Sequence, residues 1–408
     1  MEGSSFLMKN ESQPRRSIKN KAKDIVIFAY KIVFYLIGLL PKRKNLIMFE
    51  SYLGKQYSCN PRAIYEYLKF HYPEFKMYWS IDPKYSDNFR NKDVIVVPRF
   101  SIKWLFLMAN AKYWVSNSRL PNWLPKPRKT IYLQTWHGTP LKRLALDMKE
   151  VHIRGMDNEE YKEEFLKDSR KWDYLISPNA YSSKIFRRAF QFNKTMIESG
   201  YPRNDFLYTS NNEKMISTLK KRFNLPKEKK VILYAPTWRD DQYTATGYKF
   251  KLELEIGKMK EVLGKNYCLI LRLHYLVAQN IDLSEFEGFA FDYSNHEDIR
   301  ELYLVSDILI TDYSSVFFDY ANLKRPMIFF VYDIEDYRER LRGFYFDFEE
   351  LAPGPLVKTT HEVIEAIQQF EENENQLPDQ FNSFYHTFCN WENGTSTKKV
   401  VEQVFDNH

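Results

Sequence analysis

Residues Ile131–Asp147 read IYLQTWHGTPLKRLALD, and the fold class follows from this stretch. Ile131–Leu133 is a short β-like run that ends in Gln134-Thr135-Trp136-His137. Gly138 and Pro140 break regular structure, and Leu141–Met148 has the pattern of a helix. His137 is therefore expected on the turn at the carboxyl end of a strand, where open α/β sheets bind ligands. An imidazole takes a proton near neutral pH, which makes His137 the candidate general base. The plainer alternative is a histidine packed under the loop by Trp136.

Outward from this turn, short apolar runs alternate with helical stretches. Leu46–Phe49, Met77–Ile81, Val94–Val97, Tyr113–Ser116 and Tyr174–Ser177 read as further strands. Pro61–Tyr72, Lys103–Ala109, Tyr161–Lys171 and Ser182–Phe190 read as helices. Asn211–Lys230 reads as a charged helix and a polar hinge. The alternation then restarts, with strands at Val231–Ala235, Leu269–Leu273, Phe289–Phe291, Ile308–Thr311 and Met327–Val331. Leu252–Leu263, His296–Val305 and Ser315–Leu323 read as the intervening helices. Such alternation predicts α/β units with parallel sheets. The expected division is 1–44 as a disordered start and interfacial helix, 45–210 and 231–408 as two doubly wound domains, and 211–230 as their connection. The tail from Thr360 is expected to be helical, with a solvated turn at Glu371–Asn375.

The bulk numbers agree with two packed cores: 408 residues, 44% of them apolar, with 29 Tyr and 31 Phe. Lys plus Arg total 60 against 53 Asp plus Glu, a net +7. The excess gathers around Ile25–Leu40, the most apolar stretch, which Lys31 interrupts. Lys9, Arg15, Arg16, Lys19, Lys21 and Lys23 precede it, and Lys42, Arg43 and Lys44 follow. The stretch is shorter than the ~20 residues of a spanning helix. Its basic flanks predict an amphipathic helix in the plane of an anionic membrane surface, against the alternative of a helix buried on the protein. No motif accompanies the charge that would direct it to nucleic acid. Cys59, Cys268 and Cys389 are far apart and fit a reducing compartment.

Phosphate chemistry is expected in the second half. Ile308–Phe330, ILITDYSSVFFDYANLKRPMIFF, reads as strand, turn, helix and strand. Ser314 or Ser315 is the expected helix cap, with free backbone N–H groups to receive phosphate. Asp312 beside them can hold a hydroxyl or orient a basic group, but it repels phosphate. His274 ends the buried run LILRLHY, and Arg272 shares its face by the two-residue period. Together they can offset charge on a diphosphate. Arg239, after VILYAPTW, is a second clamp candidate, with a salt bridge to Asp240 or Asp241 as the alternative. Arg203, Asn204 and Asp205, in SGYPRND, are cleft candidates. GxGxxG, Walker, HExxH and GxSxG motifs are missing, which argues against dehydrogenases, P-loop enzymes, zincins and α/β-hydrolases.

Taken together, TWHGTPLK (135–142), GYPRND (200–205), YAPTWRDD (234–241), LRLHY (271–275), TDYSS (311–315), FDY (318–320), KRP (324–326) and RGFYFDFEELAPGP (342–355) resemble the CDP-glycerol glycerophosphotransferase family. The resemblance implies two Rossmann-like domains of GT-B type facing across a cleft. It implies transfer of glycerol phosphate from CDP-glycerol to a hydroxyl of a polyprenyl-diphosphate-linked teichoic acid precursor, releasing CMP, at the cytoplasmic face of the cell membrane. His137 is then the implied base, and His274, Ser314 and Ser315 bind the diphosphate with help from Arg239. Arg272, Asp312, Lys142, Arg203 and Arg342 are the further substrate-binding candidates. Tyr275 stands where some relatives have proline. No essential cofactor is expected; a loosely held magnesium ion stays open. The short chain suggests a primase adding one or a few units. CDP-ribitol is the alternative donor, and an inactive nucleotide-binding scaffold is the alternative class.

Overall fold

The computed structural model describes residues 18–149, 157–237, 243–244, 247–248, 252–273, 281–335 and 343–406. Two parallel sheets form, each wound on both sides by helices. The first contains β1 (Arg43–Glu50), β2 (Lys76–Ile81), β3 (Val96–Pro98), β4 (Ala111–Ser116), β5 (Ile131–Gln134), β6 (Tyr174–Ser177) and β7 (Thr195–Glu198), in the order β3-β2-β1-β4-β5-β6-β7. The second contains β8 (Lys230–Ala235), β11 (Tyr267–Leu271), β12 (Ala290–Asp292), β13 (Ile308–Thr311), β14 (Met327–Phe330) and β15 (Leu356–Val357). Its order is β12-β11-β8-β13-β14-β15; a separate hairpin pairs β9 (Tyr243–Thr244) with β10 (Gly247–Tyr248). In both sheets the order reverses beside the first strand, at β1/β4 and β8/β13. Such a reversal opens a crevice at the carboxyl ends.

The strand sequences are continuously apolar because both faces are buried. In β8, Val231, Leu233 and Ala235 enter one core cluster, and Ile232 and Tyr234 enter the cluster on the opposite face. β11 repeats the division, with Cys268 and Ile270 on one side and Leu269 and Leu271 on the other. The three cysteines are buried and free. The chain does not stay in its second lobe: the last helix, Ser396–Val404, returns to the first, where Val400, Val401 and Val404 join its core.

Four elements differ from the sequence reading. Leu141–Met148 is not a helix; only Ala145–Asp147 forms a 3-10 turn. Leu141 and Arg143 instead exchange backbone hydrogen bonds with Tyr345 and Gly343 of the second lobe, at 2.9 and 3.2 Å. Strands β7 and β15 are absent from that reading, since each is a short edge strand, of four and two residues. The helix after β13 is short, Val316–Tyr320 followed by a 3-10 turn at Ala321–Leu323.

The helix Ile18–Gly38 lies along the helix Ile102–Asn110. From Ile25 onward its described side chains do not divide into one apolar and one polar face. Phe34 is fully buried and Tyr30 packs edge-on to Trp123 at 5.6 Å, whereas Ile25, Val26, Phe28 and Leu36 are exposed. An apolar stripe is docked and a second apolar stripe faces outward. Among the described residues, no helix is long and apolar enough to cross a membrane.

Candidate active site

His137 sits three residues beyond β5, on a backbone that the first lobe holds in an uncommon conformation. Trp136 has φ +51°. The Asn60 side-chain amide donates to the carbonyls of Thr135 and Trp136 at 3.2 and 3.1 Å. Trp136 N–H donates to Gln134 Oε1 at 3.0 Å, and Gly138 N–H donates to the Tyr201 hydroxyl at 3.2 Å. The Trp136 ring stacks on the imidazole, with centroids 4.9 Å apart, and is itself packed on Phe190. Trp136 thus packs against His137 as the plain reading supposed, yet the histidine is half-buried and open to the cleft.

The imidazole has a defined tautomer. Its Nδ1 lies 2.7 Å from the carbonyl oxygen of Asn117, just past β4. A carbonyl only accepts, so Nδ1 carries the proton and Nε2 keeps the lone pair. Burial pushes the His137 pKa down to about 4; the Asn117 bond opposes this and the Arg203 charge adds to it. The ring is therefore neutral at physiological pH, the form a general base requires.

The second lobe meets this turn at Ser315. A Cβ added at Gly138 would lie 3.2 Å from Ser315 Oγ, so the glycine permits the approach. His137 and Ser315 both line two adjoining cavities. One, of about 250 Å³, is bounded by Tyr52, Cys59, Arg272 and Arg300. The other, of about 360 Å³, is bounded by Thr139, Lys142, Thr237 and Ser314. The imidazole and the serine thus stand at the partition of one crevice.

The remaining candidates divide into cleft residues and braces. Ser315 occupies the N-cap position but its hydroxyl makes no capping bond, unlike the expectation. Asp312 is buried and accepts the Thr237 N–H at 2.8 Å, which ties the ends of β13 and β8 together. Arg272 lines the smaller cavity while donating to the carbonyls of Tyr293, at 3.0 Å, and Ser294. Arg203 is buried and donates to both carboxylate oxygens of Asp319 at 2.8–3.1 Å and to Cys59 Sγ. His274, Arg239 and Arg342 lie outside the described residues.

Sequence reasoning passed over Asn117, Asn60, Tyr201 and Asp319. Asn117 acts through its main-chain carbonyl, which leaves no side-chain signature; its place one residue beyond a strand was the available clue. Asn60, Tyr201 and Asp319 acquire their roles only through contacts between distant segments. Asn204, expected in the cleft, is a brace instead, donating to Asp319 and to both oxygens of Glu392 at 2.9–3.0 Å. Glu392 is buried, and burial followed by the Asp319 charge pushes its carboxyl up to about 8.

Two lobes with matching strand orders, and a neutral histidine at the partition between them, define the arrangement to be compared. Residues 32–406 match the family described as CDP-Glycerol:Poly(glycerophosphate) glycerophosphotransferase. The chain belongs to this family of glycerophosphotransferase enzymes. It is 61% identical over 391 residues to a teichoic acid poly(glycerol phosphate) polymerase of Bacillus subtilis (strain 168), covering 96% of this chain and 52% of that protein. A polymerase of the same description from Bacillus spizizenii is 58% identical, with 96% and 99% covered. The teichoic acid glycerol-phosphate transferase of Staphylococcus aureus is 44% identical, with 95% and 100% covered. Among solved structures, the wall teichoic acid polymerase TagF, as a histidine-to-asparagine variant soaked with CDPG, superposes with a TM-score of 0.87. It is 40% identical over 95% of this chain and 96% of that one. A UDP-GlcNAc 2-epimerase from Neisseria meningitidis shares the fold alone, with a TM-score of 0.55 at 12% identity. The glycerophosphotransferase fold is thus α/β with two parallel sheets in a GT-B-like arrangement.

Proposed function

We propose that this glycerophosphotransferase transfers glycerol phosphate from CDP-glycerol to a hydroxyl of a lipid-linked teichoic acid precursor, releasing CMP. The observation that carries the reading is the bond from His137 Nδ1 to Asn117 O, which leaves Nε2 as the proton acceptor in a crevice shared by both lobes. In the proposed step, Nε2 takes the acceptor's hydroxyl proton and the oxygen attacks the β-phosphorus. The bond to CMP breaks, and CMP departs with the electron pair. Ser314, Ser315 and Lys142 line the larger cavity, where polar and cationic groups favour phosphate. His274 and Arg239 are proposed to offset charge on the departing CMP.

Glycerol is favoured over ribitol as the donor alcohol. Glycerol-phosphate polymerases and a glycerol-phosphate transferase are 41–61% identical, and the poly(ribitol-phosphate) polymerase is 29% identical. Repeated addition is favoured over priming on the same ground, since the glycerol-phosphate primase of Bacillus subtilis is also 29% identical. Chain length does not oppose this, because the Bacillus spizizenii polymerase is matched over 99% of its length. Peripheral attachment to the cytoplasmic membrane face is supported by the outward apolar stripe of Ile25–Leu40 and by exposed Ile102 and Phe106 on the neighbouring helix. Exposed Arg43, Lys44, Arg128 and Lys129 complement anionic lipid.

The test measures CMP release with CDP-glycerol or CDP-ribitol and a lipid-linked acceptor. The wild type turns over CDP-glycerol, and His137→Ala loses at least about a hundredfold in kcat while still binding donor. Turnover retained in His137→Ala refutes the base assignment; preference for CDP-ribitol refutes the donor.

A further inference from the structure

The turn that carries His137 is held by two different lobes. Its first part, through Pro140, is tied within the first lobe by Asn60, Gln134, Tyr201 and the Tyr181 hydroxyl, which donates to Pro140 O at 2.8 Å. Its continuation is tied to the second. Tyr345 N–H donates to Leu141 O at 2.9 Å, and Arg143 N–H donates to Gly343 O at 3.2 Å. Lys142 and Phe344 form the antiparallel bridge between these bonds. Leu144 N–H then donates to the Tyr345 hydroxyl at 3.0 Å. Gly343 has φ +64°, and a Cβ there would lie 3.3 Å from Arg143 Nε.

Successive side chains of this strap are divided between the lobes. Phe344 and Phe346 pack into the second-lobe core, where Phe344 lies 5.6 Å from Tyr313 and Phe346 lies 5.8 Å from Phe388. Tyr345, between them, packs against the first-lobe core. Its hydroxyl donates to Asp147 Oδ2 at 2.7 Å, and Arg188 holds the same carboxylate through both its oxygens. One side chain therefore receives a main-chain N–H seven residues past His137 and anchors it to the lobe that supplies Ser315.

We propose that Tyr345 is a positioning residue for the transfer step. Its hydroxyl fixes the segment after His137, so that the imidazole is held in register with Ser315 only while the strap is seated. The assignment rests on the glycerophosphate-transfer reading above. It goes beyond that reading in placing control of the base on a residue of the opposite lobe.

Tyr345→Phe removes the hydroxyl and keeps the ring. The expected result is a fall in kcat of about tenfold, below the roughly hundredfold loss of an ångström-scale misplacement. KM for CDP-glycerol and the thermal midpoint stay at wild-type values. Arg188→Ala, which leaves the Leu144–Tyr345 bond in place, changes kcat less than about twofold, as suits an ion pair whose arginine is mostly exposed. Wild-type kcat in Tyr345→Phe, a change confined to KM, or an equal kcat loss in Arg188→Ala overturns the proposal. Absence of CMP release by the wild type instead defeats the functional reading. The strap is then decided by amide exchange: faster exchange at Leu144 in Tyr345→Phe supports it, and unchanged exchange overturns it.

Discussion

Replacing Asp319 with asparagine tests how the two lobes are joined. Arg203 follows β7 of the first lobe, and Asp319 lies on Val316–Tyr320 of the second. Their side chains are only 7% and 10% exposed, and three N–H···O contacts of 2.8–3.1 Å connect them. Truncating one partner of a buried pair costs about 3–5 kcal/mol, chiefly because the other charge stays buried. Here Glu392 moderates the loss. Its carboxyl is held up to about 8 partly by the Asp319 charge, and without that charge it ionises more readily beside Arg203. The expected loss for Asp319→Asn is therefore near the lower end, about 3 kcal/mol. Urea unfolding followed at the first transition measures it. Arg203→Met and the double variant complete a cycle, in which the double loss falls short of the sum by at least ~1 kcal/mol. A loss under ~1 kcal/mol for Asp319→Asn, or additivity in the cycle, refutes the argument that this pair joins the lobes.

The pH dependence of kcat/KM reports the state of His137. With its pKa held near 4, activity persists as pH falls through 6.5 and its acid limb appears near pH 4; a limb centred near 6.5 contradicts the burial of the imidazole. The sign for stability follows from the same depression: the folded form binds fewer protons than the unfolded chain, so this group's contribution is full above pH 6.5 and is lost as pH falls toward 4. Gly200 has φ +86°, and an added Cβ would lie 2.7 Å from Glu392 Cγ and from Ser396 Oγ. Gly200→Ala should therefore cost about 2 kcal/mol or more by thermal denaturation, and an unchanged midpoint refutes this. Ile102→Glu with Phe106→Glu should reduce sedimentation with anionic vesicles at least tenfold, given ~1.5–3 kcal/mol for each fully buried apolar side chain. Unaltered sedimentation removes this face from the membrane contact.

The sequence alone determined the two parallel sheets and the strand ends that meet at the crevice. Strands buried on both faces must be apolar without interruption, so VILYA and ILIT are legible without a partner. His137 was legible for a related reason, since it follows a strand and precedes Gly138 and Pro140. Tertiary structure decided what the polar groups there do. Leu141–Met148 carries a helical pattern, yet its backbone is claimed by a segment some 200 residues later, and local periodicity holds no record of that bond. Arg203 reads as a free cation until folding places Asp319 beside it, and Asp312 reads as a phosphate-repelling carboxylate until Thr237 presents an N–H. The proton on His137 is set by a main-chain carbonyl that every residue possesses. Apolar burial depends on residue type and leaves its mark along the chain, whereas a hydrogen bond between distant segments depends on geometry that only the folded chain creates.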